Sequence, residues 1–115
     1  MSDRLTTTFS ALADPTRRAI LARLTQGPAT INELAEPFAM SLPSVSRHVK
    51  VLEEAGLVSK SRDAQFRTCR LESAPLAAAD DFLADYRRFF DERFDRLDAQ
   101  LKAMVEARKT TKQEE

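Results

Sequence analysis

The chain has 115 residues, with 18 Lys and Arg against 18 Asp and Glu, one His and one Cys. That length suits one domain and can bury a core without staples, while a single Cys excludes an intrachain disulfide framework and a Cys-rich zinc site built from one subunit. A formal net charge of zero stands against an ordinary basic nucleic-acid-binding domain, unless the charges are unevenly placed. The N-terminus lacks a charged start followed by an apolar run, and no stretch approaches the roughly 18 consecutive apolar residues of a membrane helix. With a free thiol, these features predict a cytoplasmic protein with no membrane partner.

In chain order, Leu5, Phe9 and Leu12 are spaced as on one helix face. Asp14-Pro15 reads as a new helix start, because Asp caps and Pro is pre-shaped for the first helical position. Ala19, Ile20 and Leu24 are the expected apolar stripe of this second helix, with Arg17, Arg18 and Arg23 mostly outside, and Gly27-Pro28 ends it. Thr30-Ile31-Asn32-Glu33 has the pattern of a capping box. It starts a short third helix with Ile31, Leu34, Ala35 and Phe38 inward, which Pro37 should kink or shorten. Ser41 is the next cap, and a fourth helix with Val45, Val49 and Leu52 on one face runs to Ala55 and stops at Gly56. Residues 57–71 read as two short strands around Asp63-Ala64-Gln65. From Pro75 onward there is no Gly or Pro, and Leu76, Leu83, Phe90, Leu97 and Met104 recur every seven residues. A helix from 76 to 104 spans about 43 Å, more than a small domain can cover by itself. The polar stretch 108–115 is expected to be a disordered tail.

Two short helices followed by a strand pair make a helix-turn-helix with a wing. The outer and N-terminal positions of the fourth helix carry Ser44, Ser46, Arg47, His48 and Lys50. Small hydroxyls allow close approach to the major groove, Arg can pair bidentately with guanine, and His can donate to a phosphate or base acceptor. Lys60, Arg62 and Arg67 in the strand pair suit backbone or minor-groove contact. Taken singly, each of these residues has a plain alternative as a cap, a solvated cation or a packed polar group. The combination points to double-stranded DNA.

The run Ser46-Arg47-His48-Val49-Lys50-Val51-Leu52-Glu53-Glu54-Ala55-Gly56-Leu57-Val58 resembles the recognition helix and exit of the ArsR family of bacterial winged-helix repressors. Phe9-Ser10-Ala11-Leu12-Ala13-Asp14-Pro15-Thr16-Arg17-Arg18-Ala19-Ile20-Leu21 resembles that family's first two helices, and Ile31-Asn32-Glu33-Leu34-Ala35 its third. The resemblance covers roughly residues 5–72. It departs from the family at Ala39, where the turn often has Gly, and in a short wing without Gly. The fold it implies is mainly α with a small β-wing (α+β). That is a winged helix-turn-helix of about five helices, a two- or three-stranded antiparallel sheet and a long C-terminal dimerisation helix. The domain would occupy 1–107, with the helix-turn-helix at 31–55, the wing at 57–71 and the C-terminal helix at 75–107. By the resemblance, Ser44, Ser46, Arg47, His48 and Lys50 lie on the DNA-reading surface and Arg62 and Arg67 in the wing.

Founding members of the family sense metals, which needs several Cys, His or carboxylate ligands at fixed helical spacings. Here the third helix has no Cys and the last has no His; Cys69 falls in the second wing strand and Asp80, Asp81 and Asp85 read as a solvated face. No metal site of the known types and no cofactor is expected. The expected function is a homodimeric repressor on a palindromic operator, with its own operon as a candidate target. The dimer would use Leu5, Phe9 and Leu12 of the first helix and Leu83, Tyr86, Phe90 and Leu97 of the last. Control stays open among no inducer, a small apolar ligand and oxidation of Cys69. The alternative function is a winged helix that binds protein, which would favour an apolar outer face on the fourth helix; only Val51 fits. Nothing supports an enzyme: there is no glycine-rich phosphate loop and no paired carboxylates in a plausible cleft.

The neutral total also hides an uneven distribution. Residues 41–72 carry six basic and four acidic side chains, whereas 73–107 carry five and eight. The positive excess falls on the expected reading head and wing.

Overall fold

The computed structural model describes residues 3–63 and 66–113; the side chains of residues 62, 63, 66 and 110–113 lie outside the described set. The first helix, α1 (Arg4–Leu12), is capped by Asp3, whose carboxylate accepts the Thr6 amide at 2.6 Å. Thr8 and Ala11 are its buried residues, while Phe9 is exposed and Leu5 half-buried. Thr8 can be enclosed because its hydroxyl donates to the Arg4 carbonyl at 2.9 Å. Asp14 caps α2 (Pro15–Leu24), accepting the amides of Thr16 and Arg17 at 2.8 and 3.2 Å. The buried stripe of α2 is Ile20, Leu21 and Leu24. Ala19 is exposed, contrary to the expected pattern; the larger Leu21 takes the inward position beside Ile20.

A two-residue strand, β1 (Ala29–Thr30), precedes α3 (Ile31–Ala35). Thr30 and Glu33 form the reciprocal capping box: Thr30 Oγ1 accepts the Glu33 amide at 3.2 Å, and Glu33 accepts the Thr30 amide at 3.2 Å. The helix ends before Pro37, whose ring and missing N–H cannot continue it. After Ser41, α4 (Leu42–Glu54) buries Val45, Val49 and Leu52. It is stopped by Gly56, whose φ of 76° lies in the left-handed region that Gly reaches at no steric cost.

Two longer strands follow, β2 (Val58–Asp63) and β3 (Phe66–Leu71). The sheet is three-stranded and antiparallel in the order β1-β3-β2. The expected turn at Ala64-Gln65 lies outside the described residues. The core gathers Ile20, Leu24, Leu34, Val45, Val49, Leu52, Leu57 and Cys69, with Phe38, Leu71 and Leu76 packed against it.

The last helix, α5 (Ala74–Gln113), has 40 residues. The expected polar tail from residue 108 is instead helical through Gln113, consistent with Arg108 and Lys109 near a helix C-terminus, where cations are favoured. The chain divides into two compact units, Met1–Asp80 and Asp81–Glu115, where one domain over 1–107 was expected. The first unit contains every element from α1 to β3 and the first turns of α5, where Ala79 is buried. The second unit is helix alone. No helix among the described residues is long and apolar enough to cross a membrane.

Candidate nucleic-acid interface

The outer surface of α4 follows from its helical period. Val45, Val49 and Leu52 turn inward, which leaves Arg47 and Lys50, three residues apart, exposed on the opposite side. Ser44 and His48, four apart, share one flank and are half-buried; Ser46 is half-buried on the other. Ser41 Oγ accepts the Ser44 amide at 3.3 Å and lies 3.0 Å from Ser44 Oγ, so the two hydroxyls share one proton-donating contact.

Ser46 meets the wing. It lines a groove of about 550 Å³ together with Thr30, Ile31 and Asn32 at the start of α3, Leu42 and Pro43 at the start of α4, and Arg67 of β3. Arg67 is exposed and opposes Arg62 in the β2–β3 register, so two of the expected wing cations occupy one rung of the ladder. The side chain of Arg62 lies outside the described residues. Val51, an exposed apolar residue of α4 like Leu42, lines a separate groove of about 230 Å³ with Thr6, Thr7, Ser10 and Ala11 of α1. It therefore sits toward α1, away from Ser46 and Arg67.

One residue expected to face outward has a structural task. Arg17 is half-buried; its Nε donates to the Ala11 carbonyl at 2.7 Å and its NH2 to the Ser10 carbonyl at 3.2 Å, satisfying carbonyls at the end of α1. Its NH1 lies 3.3 Å from His48 Nδ1. Arg18 donates to the Leu12 carbonyl at 2.8 Å. Position in the sequence alone could not separate these arginines from solvated ones, although Asp-Pro directly after α1 signals a tight corner whose carbonyls need donors.

Cys69 is fully buried. Burial pushes its thiol above the usual 9.0, with Lys60 pulling down and Glu53 pushing up. Among the described residues, no group of three or more His, Cys, Asp or Glu is arranged to hold a metal ion.

Along the second unit, Phe82, Leu83, Tyr86, Phe90, Leu97, Leu101 and Met104 are all exposed. Phe82 and Tyr86 have ring centroids 5.5 Å apart, and the Arg93 guanidinium stacks 4.3 Å over Phe89. Of the residues expected to join two copies, Leu83, Tyr86, Phe90, Leu97 and Phe9 are thus exposed, and Leu5 and Leu12 are half-buried.

A helix-turn-helix whose second helix shows serines and cations outward, flanked by an antiparallel wing with cations of its own, defines a winged-helix DNA-binding protein. Comparison with known proteins agrees. A helix-turn-helix domain family matches residues 12–60. The chain is 46% identical over 70 residues to the HTH-type transcriptional regulator Rv2034 of Mycobacterium tuberculosis, covering 61% of this chain and 65% of the relative. It is 45% identical over 58 residues to the transcriptional repressor SdpR of Bacillus subtilis, covering 50% and 64%. The chain thus spans slightly less than two thirds of these curated relatives. Among solved structures, the ArsR family transcriptional regulator RHA00566 superposes with a TM-score of 0.71 at 44% identity, covering 77% of this chain and 98% of that one. The chain belongs to the ArsR family of winged-helix transcriptional regulators, a family of DNA-binding proteins and not of enzymes.

Proposed function

We propose that this chain is a homodimeric, cytoplasmic repressor that binds a palindromic operator, that of its own operon included, and is not controlled by a metal. The observation that carries the reading is the outer surface of α4, where Arg47 and Lys50 are exposed beside Ser44, Ser46 and His48. A protein-binding winged helix would favour apolar residues there; of the exposed apolar residues of α4, Val51 sits toward α1 and Leu42 lies in the first turn. Ser44, Ser46, Arg47, His48 and Lys50 read the major groove. Arg62 and Arg67 reach the flanking backbone or minor groove.

One reading head gives limited affinity, and a two-fold pair reads half-sites about one helical turn apart. The apolar face of α5, with Leu83, Tyr86, Phe90 and Leu97, and the residues Leu5, Phe9 and Leu12 of α1 supply surfaces for a second copy. Metal-independent control is supported by the ligand inventory: the one His lies in α4 and the one Cys is enclosed in the sheet. The same enclosure argues against Cys69 as a redox switch.

A footprint on the protein's own promoter region, with and without zinc, cadmium or arsenite, tests the reading. A protected palindrome unaffected by metal supports it. Absence of protection sinks the operator assignment, and release at micromolar metal sinks the metal independence.

A further inference from the structure

The only histidine of the chain is tied into the corner between α1 and α2. His48 Nδ1 lies 3.3 Å from Arg17 NH1 and 3.9 Å from Asp14 Oδ1. A guanidinium carries donors and no acceptor. The Arg17–His48 contact is therefore a hydrogen bond only when Nδ1 has no proton and offers its lone pair. Asp14 could favour a protonated Nδ1, but 3.9 Å is beyond hydrogen-bond reach, and its Oδ1 already accepts the amides of Thr16 and Arg17. Arg17 is not free to swing away, because its Nε and NH2 are held by the Ala11 and Ser10 carbonyls.

We propose that Arg17 is a positioning residue that selects the tautomer of His48 with its proton on Nε2, so that the free end of the ring acts on DNA as a donor. A donor matches a phosphate oxygen, guanine N7 or O6, adenine N7 or thymine O4, and mismatches the amino group of cytosine. The same guanidinium ends on α1, so the carbonyls that close α1 and the ring on the recognition helix share one cation. The consequence for binding rests on the reading face proposed above; the tautomer does not.

With a single His in the chain, long-range ¹H–¹⁵N spectra of the labelled full chain report this one ring without ambiguity. At a pH where the ring is neutral, Nδ1 is expected to be unprotonated in the wild type, and Arg17→Met should move the ring toward a mixture of tautomers. Arg17→Lys, which keeps a donor but loses the planar fork, should lie between them. A wild-type proton on Nδ1, or a ring unmoved by Arg17→Met, overturns the proposal. Should Arg17→Met not fold, the wild-type and Arg17→Lys spectra still decide.

Operator binding provides the second readout. Arg17→Met and His48→Ala should each weaken it on the order of 3- to 10-fold, the worth of one hydrogen bond. The double variant should be no weaker than His48→Ala alone, and additive losses overturn the coupling. If His48→Ala binds as the wild type does, His48 is removed from the reading face, while the spectra still judge the role of Arg17.

Discussion

Ala29 of β1 lies directly opposite Cys69 of β3, and both side chains are buried. The thiol is thus enclosed beside the shortest strand of the sheet, and burial favours its protonated form. Native protein should resist thiol reagents at neutral pH and react only on unfolding. The sign of the pH effect follows: the thiol pKa is raised in the folded state, so its contribution is complete below 9.0 and falls away as pH rises above it. Thermal melts across that range should show a loss that Cys69→Ala abolishes. Rapid labelling of native protein would refute the enclosure.

Arg47 is exposed, so truncating it leaves the core intact. Arg47→Ala should cost about 1–3 kcal/mol of operator binding and relax selectivity at one base position if it reads a base. If it contacts phosphate alone, affinity should fall evenly across sequences, with a smaller salt slope. Titrations against operator and scrambled duplexes at several salt concentrations separate the two. Wild-type affinity and selectivity would remove Arg47 from the surface.

Leu83 and Phe90 are 42% and 53% exposed. Leu83→Asp with Phe90→Lys should therefore leave the first unit folded while removing the surface offered to a second copy. Sedimentation is expected to show a monomer, with much weaker operator binding. An unchanged mass would refute the assignment of α5 to the dimer.

Gly56→Ala should destabilise the fold by about 1–2 kcal/mol, the cost of placing an L-residue in the left-handed region. An added Cβ would lie 3.6 Å from Pro75 Cγ, an ordinary contact, so the penalty comes from the backbone. Chemical denaturation measures it, and a loss near zero would show that the turn can relax.

Asp14 is a further pH probe. Burial raises its pKa, but the amides of Arg17 and Thr16 and the charges of His48 and Arg17 bring it below 3.8. A carboxylate depressed in the folded state stabilises at pH values above its unfolded value and ceases to do so as pH falls through the lowered one. Asp14→Ala should lower the melting temperature at neutral pH and flatten the acid limb below 3.8. An acid limb identical to that of the wild type would count against the cap.

Much of this architecture is legible residue by residue. Asp14-Pro15, the box from Thr30 to Glu33, Ser41 and Gly56 each act through the backbone within a few positions, so their chemistry fixes where helices start and stop. What was misread depends on tertiary neighbours. In α1 the spacing of Leu5, Phe9 and Leu12 marked one apolar face, but gave no sign that the small pair Thr8 and Ala11 is the part enclosed. In α2, Ala19 and Leu21 flank Ile20, and local spacing could not choose between them. β1 is two residues long and exists only because β3 pairs with it. The polar outer face of α4 was readable because its period and residue types are local; the structural task of Arg17 was not, because its partners lie on α1 and α4.

Thr30 serves two elements at once. It pairs with Thr68 in the sheet and caps α3, so the wing and the helix-turn-helix are fastened at one residue with no linker between them. Shifting the wing would break the cap of α3. On the proposed reading, the head would meet DNA as a stiff template, and the bending needed for wing and recognition helix to engage together would fall on the duplex. Operators with flexible pyrimidine–purine steps between the α4 and wing contacts should be preferred over rigid ones, even where no side chain touches a base.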